Sequence, residues 1–177
     1  MGERRAVFLD RDGTLMEEVD YCNDPARVAV FPGAASALQR LRHAGWLTIV
    51  VTNQSGLSKG RITPEQYAAV NAEFLRQTFG GIDAVYFCPD HPERPTPRRK
   101  PGTGMLEEAA REHGIDLAKC WMVGDKAIDV ECGRRAGCRT VLVRTGYGAG
   151  HEKIANADFV MEDFVSAADM VLALCRG

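Results

Sequence analysis

Ala6-Val7-Phe8-Leu9-Asp10-Arg11-Asp12-Gly13-Thr14 is the stretch from which the fold can be read. A short apolar run closed by turn residues is the pattern of a buried strand. Open α/β sheets place their ligands at the carboxyl ends of the strands. Two carboxylates one residue apart at such an end can hold a hard cation through oxygen and leave an acid free for proton transfer. Gly13 lets the chain turn back sharply behind them. The same letters also occur in calcium loops and in plain Asp-Gly hairpins, so the rest of the chain has to choose.

Outward from this stretch, strand-like and helix-like segments alternate. Strands are expected at 5–10, 47–52, 84–88, 120–124 and 139–143, with a weaker sixth at 157–161; helices are expected at 34–44, 64–79, 103–113, 126–136 and 163–175. The alternation predicts an α/β fold: a doubly wound, mainly parallel sheet, Rossmann-like, with helices on both faces. Thr63-Pro64-Glu65-Gln66 supplies an N-cap, a proline at the first helical position and a glutamine at the third. Gly45, Gly80, Gly114 and Gly137 stand where helices should end. Two segments break the rhythm. Residues 13–32 contain Asn23-Asp24-Pro25 and predict a hairpin-like flap; residues 89–102 are rich in proline and predict a stiffened, ordered loop. Both follow strand ends, so both should overhang the rim that carries Asp10 and Asp12.

A chain of 177 residues reads as one domain over 1–177, long enough to bury a core. Its net charge of −2 offers no global basic field for nucleic acid or an anionic membrane. The first expected strand begins at residue 5, which leaves no room for a signal peptide, and no apolar run approaches the roughly 18 residues of a membrane span. Cysteines 22, 88, 120, 132, 138 and 175 form no C-x-x-C pair, which fits reduced thiols in a cytoplasmic protein. The expectation is a soluble, cytoplasmic monomer. His151 lies in a polar segment after the fifth strand and takes no assignment.

Three further motifs fall on the same rim. Thr52-Asn53-Gln54-Ser55-Gly56 closes the second strand with a hydroxyl, two amides and a glycine turn, a neutral donor set suited to phosphate oxygens or simply a polar turn. Arg98-Arg99-Lys100-Pro101-Gly102 ends the proline-rich loop just before a helix, where a cation triplet can converge on an anion or be a solvated face. Met122-Val123-Gly124-Asp125-Lys126 delivers Asp125 to a strand end, where it could also be only a helix N-cap, and Asp129 follows four residues later. Lys126 is out of place at a helix start, because a cation opposes the positive end of the helix dipole. That charge needs an anionic partner.

In this order the motifs D-R-D-G-T, T-N-Q-S, R-K-P and V-G-D-K-x-x-D resemble the haloacid dehalogenase superfamily of aspartate-nucleophile phosphatases. Within it the resemblance is to the group that removes the 7-phosphate of D-glycero-D-manno-heptose 1,7-bisphosphate, with the histidinol phosphatases as close relatives. It spans roughly residues 5–147 and includes Phe31-Pro32-Gly33 and Val143-Arg144-Thr145-Gly146. The resemblance implies Asp10 as nucleophile and Asp12 as general acid and base. It implies Mg²⁺ on Asp10, the Asp12 carbonyl and Asp125, with Thr52 and Lys100 stabilising the transferring phosphoryl group. Arg11, Asp20, Tyr21, Asn53, Gln54, Ser55, Arg99 and Lys126 would meet the substrate, a small phosphorylated sugar, and Asp129 would brace the loop behind the metal. Glu18-Val19-Asp20-Tyr21 occupies the place where the family's flap meets the sugar.

The spacing between motifs leaves no room for a separate cap domain. One departure concerns zinc. The relatives carry C-x-H and then C-x-C before R-K-P, whereas this chain has Cys88-Pro89-Asp90-His91 and places Thr96 and Arg98 at the later positions. A closed structural site needs four ligands, so no structural zinc is expected. Two rivals belong to other classes. A receiver-like signalling module carries its phosphorylated Asp on the third strand, but that strand ends here in Tyr86-Phe87-Cys88-Pro89. An inactive scaffold would not need every catalytic position filled.

Overall fold

β1 (Ala6–Leu9) is buried along its whole length. The structure, a computed structural model, describes residues 4–174. Val7 and Leu9 enter one hydrophobic core and Ala6 and Phe8 another, on opposite sides of the sheet. An apolar residue at every position is what a strand covered on both faces requires.

β2 (Leu47–Asn53) runs parallel to β1 in the register Ala6↔Leu47 to Leu9↔Val50. On its other side β1 pairs in parallel with β4 (Trp121–Gly124), from Val7↔Trp121 to Leu9↔Val123. β3 (Ala84–Cys88) pairs with β2, β5 (Arg139–Val143) with β4, and β6 (Phe159–Met161) with β5. The sheet order is β3-β2-β1-β4-β5-β6, and every pairing is parallel. The chain reverses its direction of travel across the sheet between β1 and β4, and the crevice at their carboxyl ends is where such sheets bind ligands.

Helices cover both faces. α1 (Ala34–His43), α2 (Pro64–Gln77) and α6 (Phe164–Leu174) contribute Leu38, Leu41, Val70, Phe74, Phe164 and Val171 to the core that holds Val7. α3 (Gly104–His113) and α4 (Ala127–Arg135) contribute Met105, Leu106, Ala109 and Cys132 to the core that holds Phe8. Cys120 and Cys138 lie in that core as small hydrophobes. The expected capping box of α2 is complete: Gln66 N–H donates to Thr63 Oγ1 at 3.2 Å and Thr63 N–H to Gln66 Oε1 at 2.8 Å.

The fold differs from the sequence reading most at three places. A helix not foreseen there, α5 (Gly148–Ala155), packs on α4 and β5 through Val130, Leu142 and Ala155. Its two glycines lower helix propensity and blur the periodicity. Gly148 is required, because a Cβ there would lie 1.6 Å from the Val143 carbonyl oxygen. α2 stops at Gln77, since Phe79 turns into the left-handed region at φ 50°. The flap is looser than a hairpin: a single antiparallel bridge, Met16↔Val30, and a 3₁₀ turn at Pro25–Arg27. Its base is fastened to α2, where Gln77 accepts from Val30 N–H at 3.0 Å and donates to the Val28 carbonyl at 2.9 Å. The last helix runs to Leu174, and Cys175, where the sequence reading ended it, lies outside the described residues. Among the described residues no inserted cap domain interrupts the α/β succession, and no helix is long and apolar enough to cross a membrane.

Candidate active site

β1 delivers Asp10 to the crevice, where its N–H donates to the Val123 carbonyl at 3.0 Å. Beyond it the chain folds back on itself: the Arg11 carbonyl accepts from Leu15 and Met16 N–H at 3.0 and 3.2 Å. Gly13 sits at φ 85° and its carbonyl accepts from Thr145 Oγ1 at 2.7 Å, which joins this turn to the segment after β5.

Lys100 is the hub. Its Nζ donates to Asp10 Oδ1 at 2.9 Å and to the Val51 carbonyl at 2.7 Å, and it pairs as a charge with Asp129 Oδ1 at 2.7 Å. The proline-rich loop presents it, and Asn53 clips that loop in place. Asn53 Nδ2 donates to the Lys100 carbonyl and Lys100 N–H to Asn53 Oδ1, both at 3.1 Å. Burial alone pushes the Asp10 carboxyl up, but Lys100 and Lys126 outweigh it and hold the group below its usual range. Burial likewise disfavours the Lys100 ammonium, and Asp10 with Asp129 more than reverses that.

Asp12 is oriented from two sides. Gln54 Nε2 donates to Asp12 Oδ2 at 2.9 Å and also to Thr52 Oγ1 at 2.9 Å. Arg11 grips the same carboxylate through Nε and Nη2, at 3.1 and 3.2 Å. Arg11 was expected to touch substrate; instead its side chain is 1% exposed and lies over the Tyr67 ring at 5.7 Å, away from the cleft. Its guanidinium is taken up by Asp12 and the Tyr67 ring, and Arg11 is not among the residues that line the cleft. Burial pushes the Tyr67 hydroxyl up to about 12.

On the other side of the crevice, Asp125 Oδ2 accepts from Tyr147 N–H at 2.9 Å, while Asp125 Oδ1 is buried with no hydrogen-bond partner. Asp125 does not cap α4. That helix is capped by Lys126 with Asp129, whose Oδ2 accepts from Lys126 N–H at 3.0 Å. Oxygens of Asp10, Asp125 and Asp129 lie within 4.8 Å of one another. Burial first, then the charges of Asp10 and Asp129, push the Asp125 carboxyl up to about 8. A dry, crowded carboxylate with an unused oxygen fits a small divalent cation that takes oxygen ligands. Asp129 stands inside this cluster rather than only behind it: its Oδ2 accepts from the Lys126 N–H, while its buried Oδ1 faces the Lys100 charge at 2.7 Å and accepts no hydrogen bond.

A cleft of about 300 Å³ opens over these groups. Asp20, Tyr21, Thr52, Asn53, Gln54, Ser55, Arg99, Lys100 and Lys126, all named from the sequence, line it together with Asp10, Asp12 and Asp129. Arg99 donates to the Asp90 carbonyl at 3.0 Å, and Tyr21 accepts from Lys59 Nζ at 2.7 Å. Lys126 finds the anion that its position demanded in the flap's Glu18, at 3.2 Å. Burial raises the Glu18 carboxyl above its usual range, against the pull of Lys126. The sequence reading passed over Tyr147, which also lines the cleft; the one available signal was its place directly after Val143-Arg144-Thr145-Gly146.

Residues 97–167 match the HAD-hydrolase-like family. A Thermosynechococcus vestitus protein named D-glycero-D-manno-heptose-1,7-bisphosphate 7-phosphatase is 39% identical, the match covering 95% of each chain. A Haemophilus ducreyi protein named D-glycero-beta-D-manno-heptose-1,7-bisphosphate 7-phosphatase is 35% identical over 95% of this chain and 98% of its own. The crystal structure of D,D-heptose 1,7-bisphosphate phosphatase from B. bronchiseptica, complexed with magnesium and phosphate, superposes with a TM-score of 0.88 at 31% identity. That match covers 97% of this chain and 99% of the other.

Proposed function

The chain belongs to the haloacid dehalogenase-like hydrolases, and from that premise we propose that it removes the 7-phosphate of D-glycero-D-manno-heptose 1,7-bisphosphate through an aspartyl phosphate. One observation carries the reading: a buried carboxylate held ionised by Lys100 stands two residues before a second carboxylate locked by Gln54 and Arg11, both facing one cleft.

Asp10 attacks phosphorus in line and becomes the phosphoaspartate, splitting one slow hydrolysis into two easier steps. Asp12 gives its proton to the departing sugar alkoxide, then takes one from the water that attacks the phosphoaspartate. Gln54 and Arg11 keep that carboxyl aimed through both steps. The Thr52 hydroxyl and the two lysines face the phosphoryl oxygens, where positioning and charge neutralisation do most of the catalysis. Mg²⁺, supplying charge neutralisation at those oxygens, would be held by Asp10, the Asp12 carbonyl and Asp125, and the unpartnered Asp125 Oδ1 fits it. The flap residues Glu18, Asp20 and Tyr21, with Ser55 and Arg99, line the same cleft and would meet the sugar.

The reading includes no structural zinc. Thr96 N–H donates to Asp90 Oδ2 at 2.7 Å, so a hydrogen bond closes the loop that four metal ligands would otherwise gather.

The test is phosphate release with Mg²⁺ from heptose 1,7-bisphosphate, fructose 1,6-bisphosphate and histidinol phosphate, with Asp10→Asn as control. A preference for the heptose of at least about a hundredfold in kcat/KM, roughly 3 kcal/mol of transition-state discrimination, is expected. If histidinol phosphate is the best substrate, the mechanism stands and the sugar assignment falls. Turnover that survives in Asp10→Asn removes the aspartyl phosphate.

A further inference from the structure

Lys126 opens α4, where the helix dipole repels it, yet the fold holds it there. The start of α5 does so. The Tyr147 ring centroid lies 4.9 Å from Lys126 Nζ, within reach of cation–π attraction. One turn on, His151 Nδ1 accepts the Ala127 N–H at 2.9 Å. Tyr147 and His151 therefore grip the two residues that begin α4, one through its side chain and the other through its backbone. Tyr147 also lines the cleft and is 51% exposed, so its ring faces both the lysine and the space that substrate would fill.

Lys126 Nζ also pairs with the Glu18 carboxylate, at 3.2 Å. A phosphoryl group entering the cleft competes with Glu18 for that ammonium. Resting on the phosphatase reading above, we infer that Tyr147 is a positioning residue whose ring keeps Lys126 over the site while the ammonium passes from Glu18 to the phosphoryl oxygens. A neutral ring suits the task. The cleft already holds the carboxylates of Asp10, Asp12, Glu18, Asp20 and Asp129, and another anion holding the lysine would repel the phosphate. An aromatic face attracts the ammonium through its quadrupole and leaves the N–H groups free to donate to substrate.

A double-mutant cycle tests this. Binding of inorganic phosphate in Mg²⁺ buffer is measured by calorimetry, and turnover is measured on p-nitrophenyl phosphate and on heptose 1,7-bisphosphate. The proteins are Tyr147→Phe, Tyr147→Leu, Lys126→Met and the Lys126→Met/Tyr147→Leu double variant. All keep the main-chain donor of residue 147 to Asp125. Tyr147→Leu is expected to weaken phosphate binding and kcat/KM by about three- to tenfold, the scale of a cation–π contact. Tyr147→Phe keeps the ring face and stays within about twofold of the parent, and in the Lys126→Met background the leucine adds less than about twofold. The inference is overturned if the leucine costs nothing, if phenylalanine costs as much, or if the loss persists without Lys126. A parent protein that hydrolyses the aryl phosphate but not the heptose loses the substrate reading alone, and the cycle is still read on the aryl phosphate and on phosphate binding.

Discussion

Lys100 Nζ stands 2.9 Å from Asp10 Oδ1 across ninety residues of chain, and both side chains are buried. The same ammonium meets Asp129 at 2.7 Å. Removing it leaves two buried carboxylates with no cation between them, and breaking a buried pair by deleting one partner costs about 3–5 kcal/mol. Lys100→Met is therefore expected to lower the melting temperature and to reduce kcat/KM by at least about 10³-fold. Lys100→Arg should not rescue it, because a planar fork cannot meet Asp10, Asp129 and the Val51 carbonyl as a tetrahedral ammonium does. Steady-state kinetics and thermal unfolding of the two variants check this; near-parental turnover in Lys100→Met would remove Lys100 from the mechanism.

Asp125 ties stability to pH. Burial, then the charges of Asp10 and Asp129, raise its carboxyl from 3.8 to about 8. A raised folded pKa means that the folded state keeps a proton the unfolded chain has already released. Over the window from about pH 4 to about pH 8 the stability of the metal-free protein therefore falls as pH rises. A cation at Asp125 displaces that proton, so apparent Mg²⁺ affinity rises across the same window. Melting curves in chelator and in Mg²⁺, at several pH values within it, should show the metal-induced increase growing with pH. An increase that does not change with pH would place the cation away from Asp125.

Asp12 donates a proton only if the leaving group needs one. Asp12→Asn should cost about 10²- to 10⁴-fold on a sugar phosphate, whose alkoxide leaves poorly without protonation. p-Nitrophenolate leaves as the anion, so the first step on p-nitrophenyl phosphate is expected to survive. The second step still lacks its base, and the phosphoenzyme should accumulate. Rapid mixing then shows a burst of p-nitrophenol of about one equivalent. Equal losses on both substrates with no burst would assign Asp12 another task.

The address of the site could be read locally, while the direction of its side chains could not. Asp10, Asp12 and Asp125 each follow an apolar strand, and a parallel sheet puts those strand ends on one rim. The anomaly at Lys126 was also visible, as a cation at a helix start. Its partners were not, because Glu18 comes from the flap and Tyr147 from the segment after β5. Asn53, Gln54 and Arg11 show the same limit. Each has the donors that a phosphate wants, yet Asn53 clips the Lys100 backbone, Gln54 joins Asp12 to Thr52, and Arg11 turns inward to Asp12. Residue type fixes what a side chain can bond, and only non-local packing decides which partner it meets. α5 went unseen for a related reason: the close approach that demands Gly148 is to Val143, outside the helix itself.

Gly13 separates two effects that a glycine substitution usually mixes. Its φ is 85°, and a Cβ there would lie 2.3 Å from Asp125 Oδ2. That oxygen cannot simply swing aside, because the Tyr147 N–H holds it at 2.9 Å. Gly60 has a similar φ of 65° but nothing within 4 Å of the same added atom. Gly60→Ala is therefore expected to cost about 1 kcal/mol of backbone strain and leave Mg²⁺ binding and turnover intact. Gly13→Ala carries the same strain and must also displace Asp125, so it should lose Mg²⁺ affinity and turnover by more than about tenfold. Melting temperature, Mg²⁺ titration and phosphate release on the pair distinguish the two contributions. If Gly13→Ala matches Gly60→Ala in all three, the close approach of Gly13 to Asp125 does not shape the site.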